Sequence, residues 1–198
     1  MQVNISFDRP DEGPRSGPVM VGWFLTTDKG AVLYDPPERV SVRQTNRTHA
    51  KSASRCPAVI QLESRYFAVK CPFDLHLGFG RDDKGKPVLL NRAGAGATIR
   101  PGKMNEVLSL VNEAEWRFPD RPTLQLSLPY CFIADEMVYA TQLSAFMHYR
   151  RDPLPGTIFG GRFPINVWPR PMMWAFEWHE PERDIILKRG EPLFYVQF

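Results

Sequence analysis

The chain predicts a mostly-β fold: a β-sandwich or jelly roll, or a compact β-barrel, with at most one short helix. Three observations carry that expectation. The 19 prolines among 198 residues are about twice ordinary usage and are spread along the whole chain. Proline breaks the helical hydrogen-bond ladder, so a helical bundle is excluded. Short apolar runs recur every ~8–12 residues between Pro, Gly and Asp turns, the spacing of strands in a sandwich or barrel. Several runs also alternate apolar with polar residues, the period of a strand with one buried face. The length suits one domain over 1–198, and 43% hydrophobic against 24% charged residues is ordinary globular composition.

The elements follow in order. Val3, Ile5 and Phe7 alternate, giving a first strand over 1–7. Residues 8–18 are a Pro/Gly/charge loop. Val19 to Thr26 and Ala31 to Tyr34 read as the arms of a hairpin, turned at Thr27-Asp-Lys-Gly30 where glycine takes a positive φ cheaply. Val40-Ser-Val42 begins another strand. Ala58 to Lys70 reads as a strand pair or one long bent strand. Phe73, Leu75, Leu77 and Phe79 share one side of a strand whose other side holds Asp74, His76 and Gly78. Arg81 to Pro87 is a hairpin turn, and Val88-Leu-Leu is its return.

Arg92-Ala-Gly-Ala-Gly-Ala-Thr98 lacks the third glycine and the helix of a phosphate-cradling loop. Met104, Val107, Leu108 and Val111 fall at helical spacing, so the helix belongs between Lys103 and Trp116. Leu108-Ser-Leu-Val also reads as a strand. Thr123 to Leu128 alternates, and Phe132-Ile-Ala and Met137 to Leu143 are strand-like. A repeat of Gln-Leu with a following Tyr, at Gln61 and Gln125, suggests two similar strand-turn-strand units.

Charge and cysteines narrow the function classes. The net charge is +3 with both signs interspersed. The nearest thing to a basic stripe is Arg39, Arg43, Arg47, Lys51 and Arg55, an anionic-polymer contact or simply a solvated face. Cys56, Cys71 and Cys131 have no ligand spacing and read as reduced, buried packing residues, which points to a cytoplasmic setting. The first residues lack the pattern of a secretory leader. No apolar run approaches the ~20 residues of a membrane helix, so no membrane partner is expected.

The C-terminal third concentrates the chemistry-bearing residues. Trp174, Phe176 and Trp178 are two apart, which puts them on one strand face as a core ladder or an aromatic ligand platform. Glu177 and His179 share the opposite face. With His76 or His148 brought in by folding, they form a divalent-metal set of two His and a carboxylate. Arg162, among glycines, and Arg170, among prolines, are anion-binding or loop-bridging candidates. No nucleophile motif is present, and Asp135-Glu136 falls at a turn.

The closing phrase from Asp184 to Phe198, with Gly190-Glu-Pro-Leu193 and Gln197, resembles the last strand-turn-strand of the dUTPase-like barrel. The motifs that carry dUTPase chemistry are absent, so the resemblance implies no activity. The same segment, with Gly160-Gly-Arg-Phe-Pro164 and Trp168-Pro-Arg-Pro171, is similar to proteins encoded by tailed phages. That similarity implies a viral setting, in host cytoplasm or virion. The leading expectation is a non-enzymatic structural or interaction protein with a protein partner or self-association and no cofactor. The alternatives are a metal-dependent enzyme on a jelly-roll or barrel scaffold, and a glycan- or nucleic-acid-binding module.

Overall fold

A computed structural model of the chain describes residues 19–41 and 55–198. The strand expected at 1–7, the loop at 8–18, and Arg43, Arg47, His49 and Lys51 lie outside the described residues. The fold is mostly β, with three antiparallel sheets, two short helices and no closed barrel among the described residues. The helices are α1, Pro57–Arg65, and α2, Pro101–Val107.

The first sheet is built on β7, Thr123–Ala134, and β11, Pro171–Trp178. The β7 strand is long enough to take two partners along its other edge: β1, Val21–Leu25, and β6, Leu108–Leu110. Beyond β11 lies β9, Gly156–Ile158. The second sheet runs β10–β8–β13–β3–β2. Its strands are Gly161–Pro164, Tyr139–Ser144, Pro192–Gln197, Tyr66–Lys70 and Glu38–Arg39, respectively. The third pairs β12, Ile185–Leu187, with β4, Leu75–Arg81, and β4 with β5, Pro87–Asn91.

All three sheets turn apolar faces into one core. Leu124, Leu126 and Leu128 of β7 alternate inward as expected. They meet Trp174 and Phe176 in register, with Trp174 opposite Leu126 and Phe176 opposite Leu124. Trp174, Phe176 and Trp178 are fully buried. Large aromatic rings gain most from leaving water, so strand periodicity resolves this ladder into the core. The second sheet adds Val69, Phe194 and Val196, and the third adds Leu75, Leu77, Ile185 and Leu187. On its other face the second sheet packs Ala68 and Tyr195 with Val40, half covered by Leu62 of α1.

Four elements differ from the sequence reading. Ala31–Leu33 forms a 3₁₀ turn, not a hairpin arm, and β1 pairs instead with β7. Gly30 does take the positive φ, at 70°. The expected strand pair from Ala58 is helix α1 followed by β3. Pro57 occupies the first helical turn, where its missing N–H and fixed φ favour a helix start. The helix expected over Lys103 to Trp116 stops at Val107, and Leu108–Leu110 takes its other reading, strand β6. The Gln61 and Gln125 repeats fall in α1 and β7, so they are not equivalent units. No helix among the described residues is long and apolar enough to cross a membrane.

Candidate functional site

The two large sheets meet at a corner. β9 is the end strand of the first sheet and β10 the end strand of the second, and only Phe159 and Gly160 separate them. The corner is tight. A Cβ on Gly156 would collide with the Glu177 carbonyl oxygen and come within 2.7 Å of the Phe176 ring. Gln142 of β8 crosses between the sheets, its Nε2 donating to the Met173 carbonyl at 2.8 Å.

After β10 the chain turns outward on a buried anchor. Ile165 is 1% exposed and its N–H donates to the Val138 carbonyl. The Trp168 N–H donates back to the Pro164 carbonyl and closes the turn. Then comes Trp168-Pro-Arg-Pro171. A residue before proline is held extended, and residues two apart in an extended chain share a side. Trp168 and Arg170 are therefore placed together, with the guanidinium carbon 4.9 Å from the indole centre. Arg162 on β10 makes a second such pair, 4.4 Å over Tyr139 of β8.

Trp168 and Arg170, with Phe159, Phe163 and Met173, line a cleft of ≈ 170 Å³, whereas Arg162 and Tyr139 lie on the opposite face of β10 and β8 and do not line it. The rim of the cleft is apolar and exposed. Trp168 is 54% accessible and its neighbour Val167 59%. Arg162 and Arg170 have no ion-pair partner among the described residues, so both charges face outward on aromatic rings. The β10 edge itself is blunted. By ladder alternation, Gly161, Phe163 and Ile165 bond towards β8, leaving Arg162 and the donorless Pro164 outward. That edge therefore offers few free backbone groups to an added strand.

The other sequence candidates are placed elsewhere. Trp174 and Trp178 are fully buried, which rules out a ligand platform; the Trp178 Nε1 donates to the Arg183 carbonyl at 3.0 Å. Glu177 is not on an open face. Thr157 of β9 pairs against it and its side chain is 6% exposed. Its Oε1 lies 3.5 Å from Arg121 Nη1 and 3.8 Å from His179 Nε2.

His76 is held in the third sheet, its Nε2 2.8 Å from Asp184 Oδ2, and His148 lies in the turn after β8. The expected metal set is thus divided among the β11 end of the first sheet, the third sheet and the turn after β8. No group of three His, Cys, Asp or Glu side chains able to hold a metal ion occurs among the described residues. Cys71 and Cys131 are buried as expected, but Cys56 is exposed just before α1.

Tyr139, Phe159 and the exposure of Trp168 escape a sequence reading, because alternation cannot say which end strand lies open. The two X-Pro steps around Arg170 were the legible signal. No family model, curated protein or solved structure matches the chain.

Proposed function

We propose that this chain is a non-enzymatic structural or interaction protein whose binding surface is the aromatic and arginine face around Trp168. The carrying observation is the Arg170 guanidinium stacked on the exposed Trp168 ring, both lining a ≈ 170 Å³ cleft. Pockets for small molecules run to roughly 300–1,000 Å³. A cleft this small fits one inserted side chain of a partner protein. Trp, Tyr and Arg dominate the energetic centres of protein interfaces. Stacking on Trp168 restrains Arg170 before binding, which lowers the entropy cost of docking.

The partner's matching surface is an apolar side chain beside a carboxylate. The inserted group fills the cleft against Phe159 and Phe163, and the carboxylate accepts hydrogen bonds from Arg170. A second copy of the chain or another structural protein meets this description. The likeness of Gly160–Pro164 and Trp168–Pro171 to tailed-phage proteins favours a viral assembly as the setting.

Trp168→Ala and Arg170→Ala test the reading. Both sites are exposed, so the melting temperature should hold within a few degrees. Association, read by light scattering and by co-purification from the cells that make the protein, should weaken by about tenfold or more per substitution. Unchanged association in both variants would sink the reading.

A further inference from the structure

We propose that a second, larger cleft binds an apolar molecule ending in an anionic group, of the fatty-acid class. It lies on the side of the two large sheets away from the β9–β10 corner, between their other end strands, β1 and β2. There the sheets are not joined, and a cleft of ≈ 390 Å³ opens between them. That volume falls within the roughly 300–1,000 Å³ of small-molecule sites, where the Trp168 cleft does not.

The floor is aromatic. Phe198 bridges the sheets, its ring 5.8 Å from Phe67 of β3 and 5.2 Å from Phe132 of β7. Trp23 of β1 forms a wall and is 41% exposed. Such a surface gains from covering by an apolar chain. The charged side chains of the lip have one sign. Arg39 and Arg65 line the cleft, both exposed. Neither has an ion-pair partner among the described residues, and Arg39 rests 5.7 Å over the Phe67 ring. A guanidinium donates paired hydrogen bonds to a carboxylate, so an apolar chain with an anionic head matches floor and lip together. The cleft is remote from the Trp168 loop, and this assignment does not depend on the interaction reading.

The test titrates the full chain with decanoate, decan-1-ol and decylammonium below their aggregation thresholds, using calorimetry and Trp fluorescence. Decanoate should saturate one site, decanol should bind more weakly, and decylammonium weakest. Arg39→Gln/Arg65→Gln should weaken decanoate about tenfold and leave decanol within about twofold. Trp23→Phe should reduce the fluorescence response while calorimetric binding persists. Absence of saturable decanoate binding, equal binding of the ammonium, or decanoate affinity unmoved by the double arginine substitution would each overturn the assignment.

Discussion

Arg162 holds its guanidinium 4.4 Å over the Tyr139 ring, across the diagonal of the β10–β8 pair in which Pro164 stands opposite Tyr139. The contact spends no carboxylate, so the charge stays available while the side chain is ordered. The two residues therefore act as a unit on the outer face of the second sheet. Tyr139→Leu and Arg162→Ala should each slightly lower stability to chemical denaturation, and the double variant should lose less than the sum. A coupling of roughly 0.5–1 kcal/mol is expected for an exposed cation–π pair. Strict additivity in a double-mutant cycle would show that the stacking contributes nothing.

Gly156 and Gly161 should respond oppositely to alanine. A Cβ at 156 meets the Glu177 carbonyl and the Phe176 ring, whereas a Cβ at 161 meets nothing within 4 Å. Gly156→Ala should cost about 1–3 kcal/mol as overpacking, seen as a fall of several degrees in melting temperature. Gly161→Ala should stay within about 0.5 kcal/mol, as surface substitutions do. Equal melting temperatures would mean that the corner is looser than described.

The buried indoles should separate in the same way. Trp174 stacks on Phe176 at 4.9 Å between ring centres, and its Nε1 has no hydrogen-bond partner. The Nε1 of Trp178 donates to the Arg183 carbonyl. Substitution by Phe removes a similar volume from each, but only at 178 does it orphan an acceptor. Trp178→Phe should therefore be the more destabilising by about 1 kcal/mol in chemical denaturation. The reverse order would contradict the hydrogen-bond assignment.

Burial pushes the Cys71 thiol up to about 12. Its ordinary value is 9.0, so between these limits the unfolded chain gives up a proton that the folded chain keeps. With fewer protons bound to the unfolded state, stability falls as pH rises from 9 towards 12. Burial raises the Tyr130 hydroxyl as well, in the same sense. Denaturation midpoints should drop across that alkaline window, and Cys71→Ala should flatten part of the drop. In the native protein near pH 8, a thiol reagent should label Cys56 fast and Cys71 hardly at all. Rapid labelling of Cys71 would contradict its burial.

What could be read in the sequence was local. Leu124, Leu126 and Leu128 announce an inward face by period alone, and Trp174, Phe176 and Trp178 announce its partner. The turn at Arg81–Pro87 was legible because Gly85 and Asp82 supply its geometry, with φ 76° at Gly85 and Asp82 Oδ1 accepting from the Lys84 and Lys86 amides. Pairing is a long-range property, so β1 was assigned to its sequence neighbour when its partner lies at Tyr130–Ala134. The metal set failed for the same reason: strand period places Glu177 beside His179 but cannot show that His76 meets Asp184. α1 escapes the sequence reading because its β-branched Val59-Ile60 pair suits a strand as well, and Val59 and Leu62 alone among its apolar residues mark its inward face.

The central claim is that partners dock on the Trp168 face. A photoreactive benzophenone amino acid placed at position 168, with a control at Val32, which is 84% exposed elsewhere, tests it in the cells that make the protein. Irradiation should give a discrete adduct from position 168, identified by mass spectrometry as a second copy or one partner, and none from position 32. Loss of that adduct in an Arg170→Ala background would complete the agreement. No adduct from position 168, or the same adducts from both positions, would contradict the assignment of this face.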